Sequence, residues 1–325
     1  MIPTPNASIS DWSSFSWLWL LLASWLVSPT TDARAAPPSP NPQITRVDIG
    51  VRAAVHEISP HDPLFLKVAV RNPSQRLLHF NKPLETEHGS LLIEARARDT
   101  AAFEIIVTKF YLTGDGIGNV SIPLGPSQRC VCYELVMSAG PAGEGYLFSQ
   151  PGEYDLRVRL TGLHEMEGAS PAIRIKVRER PQAEIAAQYQ AAETFYSATS
   201  IGGVSRQIST DRLRSARDTL GDSALRTSFD WIIGLAEVRD APSAEKRREA
   251  IELLRLKIDP TTAVSKEFVQ LMLAFVLVGV EDWDTAEQLV AHLKDAVFAQ
   301  RRIKEWVRTS RENRSVEQIK GVRPY

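Results

Sequence analysis

Phe-Ser-Gln-Pro-Gly-Glu-Tyr-Asp-Leu-Arg-Val-Arg-Leu, residues 148–160, is the segment from which we predict the fold of the first half of this chain. Pro151 and Gly152 form a dipeptide that is typical of a turn. After it, apolar and charged residues alternate to the end of the stretch, which is the period of a strand with one buried face. We expect Phe148, before the turn, and Tyr154, after it, to bury beside each other.

The same alternation extends on both sides of this strand, and the separating segments are rich in Gly, Pro, Asn and Asp. The predicted strands are Val47–Ala53, Leu64–Val70, Leu77–Phe80, Leu91–Arg96, Phe103–Tyr111, Cys130–Met137, Glu153–Leu160 and Ile173–Arg178. Short strands in this number, with no long helical segment between them, predict an antiparallel β-sandwich over residues 44–180.

This region resembles the immunoglobulin-like domains of exported bacterial proteins. The residues that carry the resemblance are VAVRNPSQ at 68–75, IPLGPSQ at 122–128 and LFSQPGEYDLRVRL at 147–160. The Cys…Trp…Cys core of antibody domains is missing, because no Trp lies between residues 26 and 230. The resemblance therefore implies a sandwich and does not imply a ligand.

At Pro181 the apolar period changes to three and four residues, which indicates helices. The predicted helices are Gln182–Ala198, Thr210–Leu220, Ser223–Arg239, Ala244–Lys257, Lys266–Val280 and Thr285–Trp306. Residues suited to N-cap positions are Ser209, Asp222, Ser243, Ser265 and Asp284. The change of period near residue 180 predicts two bodies with separate cores.

A repeat is visible in the helical region, at residues 181–307. Ala216, Ala250 and Ala286 are spaced 34 and 36 residues apart, and periods near 34 are those of tetratricopeptide-type hairpins. The segment LAFVLVGVEDWDTAEQLV, residues 273–290, is similar to that family. The resemblance implies a TPR-like helical domain, with an ordinary helical bundle as the alternative.

The first residues are expected to lie outside the fold. Phe15–Val27 is an apolar run of thirteen residues followed by Ala33-Arg34-Ala35, the pattern of a signal peptide that ends at residue 35. No Lys or Arg precedes the run, so the alternative is an uncleaved membrane anchor through residues 15–27. Residues 36–43 then read as a Pro-rich linker. The chain is expected to be exported, to the periplasm or the extracellular space.

Charge and cysteine content narrow the classes of function. The 38 basic and 39 acidic residues leave a net charge of −1, which argues against a dedicated nucleic-acid binder. The basic tail at 308–325 reads as a solvated surface or as a contact for an anionic partner. Cys130 and Cys132 are either a disulfide or thiol pair, or two buried apolar side chains on one strand face.

No catalytic, metal or cofactor motif is predicted. His56, His61, His79 and His88 would need to converge to bind a metal ion, and their spacing alone does not place them together. The segment Asp115–Asn119 lacks the carboxylate pattern of a calcium loop and reads as a Gly-rich turn.

Two functions of different classes fit these features. The first is a non-enzymatic binding or scaffolding protein that engages a protein or peptide partner, with contact to a membrane only through an uncleaved leader. The second is an envelope hydrolase or enzyme accessory subunit whose site lies between the two domains. The aromatic residues predicted to line the partner surface are Tyr189, Phe195, Tyr196, Trp231 and Trp283.

Overall fold

The computed structural model describes residues 44–81, 90–100, 102–106, 122–136, 148, 150–163, 165–200, 203–205, 207–221 and 223–319. The predicted leader and linker therefore lie outside the described residues. So do His88, the Asp115–Asn119 turn and residues 320–325 of the basic tail.

The described chain is made of strands up to residue 177 and mainly of helices from residue 182, so its order agrees with the change of period in the sequence. The first strands are β1 (Thr45–Arg46), β2 (Asp48–Ala53), β3 (Glu57–Ile58), β4 (Leu64–Arg71), β5 (Leu78–Phe80), β6 (Leu91–Ala97) and β7 (Glu104–Ile106). They are followed by β8 (Ile122–Leu124), β9 (Arg129–Val136), β10 (Gly152–Leu160), β11 (Met166–Glu167) and β12 (Ile173–Val177).

The helical region also contains one very short hairpin. The helices are α1 (Gln182–Ala198), α2 (Thr210–Asp218), α3 (Ala224–Asp240), α4 (Ala244–Ile258), α5 (Ala263–Gly279), α6 (Trp283–Ala291) and α7 (Val297–Ile319). The hairpin strands β13 (Thr199–Ser200) and β14 (Gly203–Val204) follow α1. Among the described residues, none of the helices combines the length and the apolar content that crossing a membrane requires.

Two sheets share one hydrophobic core. In the described strands, β2, β4 and β9 form a three-stranded antiparallel sheet, and β3, β12, β10, β6 and β7 form a five-stranded sheet in that order. Leu66 and Val68 of the first sheet lie in the same buried cluster as Ile93, Leu156 and Val158 of the second. The alternation that predicted these strands is thus the alternation of a core face and an outer face.

The turn before β10 confirms the expected aromatic pair. Phe148 and Tyr154 are both buried, and their rings meet edge to face with centroids 5.5 Å apart. The Tyr154 hydroxyl donates a hydrogen bond of 3.0 Å to the Gln150 carbonyl, which satisfies the polar end of the ring. Gly152 has a φ of 151°, a conformation that a side chain would disfavour.

The helices pack on the outer face of the three-stranded sheet, and this corrects the expectation of wholly separate cores. Phe65, Val131 and Tyr133 point away from the sheet interior and join the helical core cluster. Phe65 lies between Trp231 and Phe268, with ring centroids 5.4 and 4.7 Å away. A strand buried on both faces supplies apolar residues to two cores, which explains why β4 and β9 carry apolar residues on both faces.

The prediction of a single helix over Thr285–Trp306 is wrong, because the helix is interrupted between the end of α6 and the start of α7. Asp295 adopts a left-handed φ of 67° in the break. Its carbonyl accepts a hydrogen bond of 2.7 Å from the Val131 N–H, and its carboxylate accepts one of 2.8 Å from Arg129. The segment between the two helices therefore supplies a hydrogen-bond acceptor to a backbone N–H of β9. This is a tertiary contact, which the local periodicity of the sequence does not reveal.

The predicted N-cap residues are confirmed for two helices and wrong for three others. Ser209 and Ser243 cap α2 and α4 as predicted, each accepting a hydrogen bond from the N–H three residues later. Ser223 caps α3 in place of Asp222, and Thr262 caps α5 in place of Ser265. The cap position of α6 is Asp282 and not Asp284.

Candidate functional site: a charged sheet face and a buried strand–helix contact

Two of the five aromatic residues predicted to line a partner surface are core residues, which corrects that prediction for them. Phe195 stacks edge to face on Phe229 and is buried. Trp231 is buried against Phe65 at the contact between α3 and the sheet. Large aromatic side chains at helical spacing fill cores as readily as they line interfaces, and here the neighbouring sheet decides.

The other three aromatic residues are half-buried, and they lie on two helices. Tyr189, on α1, presents its ring to the edge of His61 with centroids 5.3 Å apart. Tyr196 lies two turns further along the same helix. Trp283 starts α6 beneath the guanidinium of Arg311, which lies 5.4 Å from the ring centre. A partner role for these three side chains stays a prediction.

Cys130 and Cys132 are buried thiols on the inner face of β9, within the core shared by the two sheets. Their side chains point to the same side of the strand, as residues two apart must. Burial raises the pKa of the Cys130 thiol to about 12. The thiol is therefore protonated at neutral pH and is a poor nucleophile.

Alkylation tests this placement. At about pH 8, we expect Cys130 in the folded chain to react with iodoacetamide at least about a thousand-fold more slowly than in concentrated urea, because so little thiolate forms. Mass spectrometry of the modified peptide, with time points before and after unfolding, gives both rates. Equal rates in the two conditions would place Cys130 at the surface.

Of the four histidines that would need to converge to bind a metal ion, the three that the structure describes lie apart from one another. The His56 Nδ1 lies 3.0 Å from the Arg174 carbonyl at the edge of β12, His79 is exposed on β5, and His61 is buried under α1. Within the described ranges, no three His, Cys, Asp or Glu side chains gather around a point that would hold a metal ion.

Asp62 lies buried between the strands and the helices, in the loop that joins β3 to β4. Its carboxylate accepts hydrogen bonds from the Ser59 N–H at 2.8 Å, the Gln188 side-chain amide at 2.5 Å and the Leu225 N–H at 3.2 Å. Burial raises the pKa of Asp62, and these hydrogen bonds oppose the rise. One carboxylate thus connects its own loop to α1 and to the first turn of α3, where a helix N-terminus favours negative charge.

A second polar contact joins the sheet to α5. Lys67 Nζ donates to Glu267 Oε2 at 2.6 Å, and the Tyr133 hydroxyl donates to the same oxygen at 3.2 Å. Burial, followed by the negative charge of Glu267, raises the pKa of Tyr133. The phenol is therefore neutral, and the three side chains act as a structural contact.

The outer face of the five-stranded sheet is charged. Cross-strand register places Asp155 of β10 between Arg174 of β12 and Arg96 of β6, and it places Arg157 opposite Glu94. These residues alternate with the buried core residues of the same strands, so all their side chains stand on the solvent side.

Each carboxylate on this face lies between two basic side chains, and we call the whole set the charged face. Glu57 contacts Lys176 (3.1 Å) and Arg178 (2.9 Å), Glu94 contacts Arg157 (2.7 Å) and Arg159 (2.9 Å), Asp155 contacts Arg96 (3.2 Å) and Arg174 (4.0 Å), and Glu153 contacts Arg98 (2.6 Å) and Arg174 (3.9 Å). Among the described residues, the ion pairs of this face join seven basic and four acidic side chains, an excess of three positive charges.

Two basic side chains of the charged face lie over an aromatic ring. The guanidinium carbons of Arg96 and Arg157 lie 4.6 and 4.0 Å from the centre of the Phe103 ring. Glu94 beside them is nearly covered by its neighbours. Although burial raises its pKa, the hydrogen bonds and charges of Arg157 and Arg159 bring the pKa of Glu94 below its usual value. The sequence shows the alternating charges, but it does not show which strands stand side by side.

A shallow cleft with a volume of about 530 Å³ lies at the β3 end of the charged face. Its lining includes Glu57, Gly152, Glu153, Lys176 and Arg178. Hydrogen bonds from Arg178 and Lys176 lower the pKa of Glu57 to about 2. The cleft is therefore lined by a carboxylate that stays charged through the whole physiological range.

The depressed pKa of Glu57 predicts how stability depends on pH. A carboxyl group whose folded pKa lies below its unfolded value stabilises the fold above the unfolded pKa, and it loses that effect as the pH falls. We expect the stability difference between the wild type and Glu57→Gln to be present near neutral pH and to vanish as the pH falls from 4.5 to about 2. Urea unfolding across this range measures it. In a Lys176→Gln/Arg178→Gln background, the Glu57→Gln effect should be absent, and its persistence there would contradict the assignment.

Comparison with known proteins identifies no family for this chain. No family model matches it, and no curated protein matches it significantly. Solved structures that overlap part of it include the Pseudomonas fluorescens alkylpurine DNA glycosylase AlkC bound to DNA, at 9% identity over 42% of this chain and 31% of that one, with a TM-score of 0.27. The Bacillus subtilis sporulation control protein Spo0M overlaps at 11% identity over 46% of this chain and 56% of that one, with a TM-score of 0.27. A CARDB domain from Pyrococcus furiosus overlaps at 11% identity over 42% of this chain and 96% of that one, with a TM-score of 0.23. Scores of this size do not establish a shared fold.

Proposed function

We propose that this chain is an exported, non-enzymatic binding or scaffolding protein that engages a protein or peptide partner. In this proposal residues 44–180 form an immunoglobulin-like sandwich and residues 181–307 a TPR-like helical domain. The observation that carries it is the unequal use of the two outer sheet faces. One is covered by helices, whereas the charged face carries solvent-exposed basic side chains in excess.

The contacts between strands and helices support a fixed presentation of that face. Asp62, Glu267 and Asp295 each connect a strand or its loop to the helical region. Together with the Phe65 contact, they hold the three-stranded sheet against α3 and α5. A rigid support lowers the ordering cost of binding, because surface side chains are already placed when the partner arrives.

Export is part of the proposal and depends on the apolar run before Ala35. Periplasmic or extracellular location follows if the leader is removed, and attachment to a membrane through residues 15–27 follows if it is retained. N-terminal sequencing of the chain purified from cells separates these outcomes, since an intact Met1 contradicts cleavage.

Affinity capture from an envelope extract tests the binding function. We expect the full chain to retain a polypeptide partner reproducibly, and we expect a variant with Arg174, Lys176 and Arg178 of the charged face changed to Gln to retain less of it. A matched variant with Arg301, Lys304 and Arg308 of α7 changed to Gln removes the same charge from another exposed surface. Equal capture by both variants would place binding elsewhere, and capture of no polypeptide would contradict the proposed function.

The alternative of a hydrolase or accessory subunit with a site between the domains is favoured by one observation. His61 and Asp62 are adjacent and buried where the strand loops meet the helices. Asp62 is, however, already held by three hydrogen bonds. Hydrolytic activity of the purified chain that is lost in His61→Gln, with the fold intact by circular dichroism, would establish this alternative.

A further inference from the structure

The basic row along β12, formed by Arg174, Lys176 and Arg178, points to the chemistry of the partner. We infer that this row binds an extended acidic polypeptide segment that carries a carboxylate at every second residue. The inference rests on the proposed binding function and names its partner class.

The three basic side chains have the spacing of side chains on one face of an extended peptide. Arg174, Lys176 and Arg178 are separated by two residues each, so their side chains leave the same face about 6.6 Å apart. An extended peptide has the same distance between side chains on one of its faces. A peptide with alternate carboxylates therefore meets all three basic groups in register, whereas a helix or a run of adjacent carboxylates does not.

The basic side chains of the row are more exposed than the carboxylates beside them. The three basic side chains are 58%, 59% and 54% exposed, whereas the neighbouring carboxylates of Glu57, Glu153 and Asp155 are 38%, 39% and 19% exposed. The carboxylates also lie between basic groups, so the outermost layer of the charged face is positive. An approaching anionic segment meets that layer first.

The interleaved carboxylates favour a peptide over a nucleic acid. A nucleic acid presents an unbroken line of phosphates and needs a surface with a large positive excess. Here four carboxylates pair with seven basic groups on the charged face among the described residues, and the whole chain has a net charge of −1. An acidic peptide has lower charge density and neutral residues between its carboxylates, which suits a mixed surface.

Two peptides of equal composition test the register. Acetyl-Thr-Glu-Thr-Glu-Thr-Glu-Thr-amide places three carboxylates on one side, whereas acetyl-Thr-Thr-Glu-Glu-Glu-Thr-Thr-amide places only two there. Titration of the isotope-labelled full chain, followed by NMR chemical shifts, detects weak binding. We expect the alternating peptide to bind about three-fold more tightly, with the largest shifts on β12, and binding to weaken in about 1 M salt.

Variants separate the row from general charge. Arg174→Gln/Lys176→Gln/Arg178→Gln should weaken binding of the alternating peptide about ten-fold, and the matched α7 variant Arg301→Gln/Lys304→Gln/Arg308→Gln should leave it nearly unchanged. Glu57→Gln removes the carboxylate that neutralises Lys176 and Arg178, and it should strengthen binding about two-fold. This gain provides a test even where the triple variant folds poorly.

Each other result overturns the inference in a defined way. Equal affinity for the two peptides, or equal loss in the β12 and α7 variants, rejects the register. Tighter binding of a short oligothymidylate than of the alternating peptide, lost in the same β12 variant, assigns the row to nucleic acid. If affinity capture retains a partner but neither peptide binds, the proposed function stands and the acidic-peptide assignment falls.

Discussion

Replacement of Asp62 by alanine is expected to lower the free energy of unfolding by about 3 kcal/mol. The carboxylate is 2% exposed and accepts hydrogen bonds from Ser59, Gln188 and Leu225. Alanine leaves these donors buried without their acceptor, and each then loses a bond that water replaces poorly. Because the donors belong to the loop, to α1 and to α3, the loss falls on the contact between strands and helices.

The pH dependence of this effect has a definite sign. Burial raises the folded pKa of Asp62, so the folded state favours the protonated carboxyl. The advantage of the wild type over Asp62→Ala should therefore be largest at acidic pH. It should decrease as the pH rises from the unfolded value, 3.8, through the raised folded pKa.

Denaturant unfolding at several pH values measures both the size and the pH dependence of this effect. Asp62→Asn is the matched control, since it keeps one acceptor oxygen for Gln188 and Leu225 and cannot titrate. We expect it to be intermediate in stability and to lack the pH-dependent part. A stability of Asp62→Ala within about 0.5 kcal/mol of the wild type would show that the carboxylate contributes little to this contact.

Replacement of Phe65 by alanine is expected to cost about 4 kcal/mol. Phe65 is buried between Trp231 and Phe268, so the change removes apolar contact from the sheet and from two helices at once. The cavity left behind adds to the lost transfer energy, because rigid strands cannot collapse into it. The helices α3 and α5 should then open more readily than the core of the two sheets.

Hydrogen exchange with peptide resolution tests this prediction. Protection should fall more in α3 and α5 than in β10, and urea unfolding should give the total loss of stability. Leu256→Ala provides the control, because Leu256 is 69% exposed on α4 and its change should alter stability by no more than about 0.5 kcal/mol. Uniform loss of protection in both regions would mean that strands and helices unfold as a single unit.

Among the longer strands, the positions follow from the sequence where one face is core and the other is polar. β10 is the clearest case, because every second residue from Tyr154 to Leu160 is buried. Very short strands such as β3 and β11 were not predicted, since two residues carry no period. α1 has the predicted limits, whereas the final helix was predicted as one element although Asp295 divides it.

The candidate site was less predictable than the elements that form it. Alternating charges on β10 and β12 are visible in the sequence, but the placement of Arg174 beside Asp155 depends on cross-strand register. The aromatic residues show the same limit. Phe195 and Trp231 have helical spacing typical of either a core or an interface, and only the packed neighbours reveal that they are buried.

Local signals in the sequence are enough to predict the order of strands and helices and the change between them near Pro181, because backbone period and capping act over a few residues. Three features depend instead on tertiary packing: the helices cover one sheet face, Asp62 connects the two regions, and the basic row of β12 is exposed. These features arise between residues far apart in the chain, where burial and charge depend on which surfaces meet.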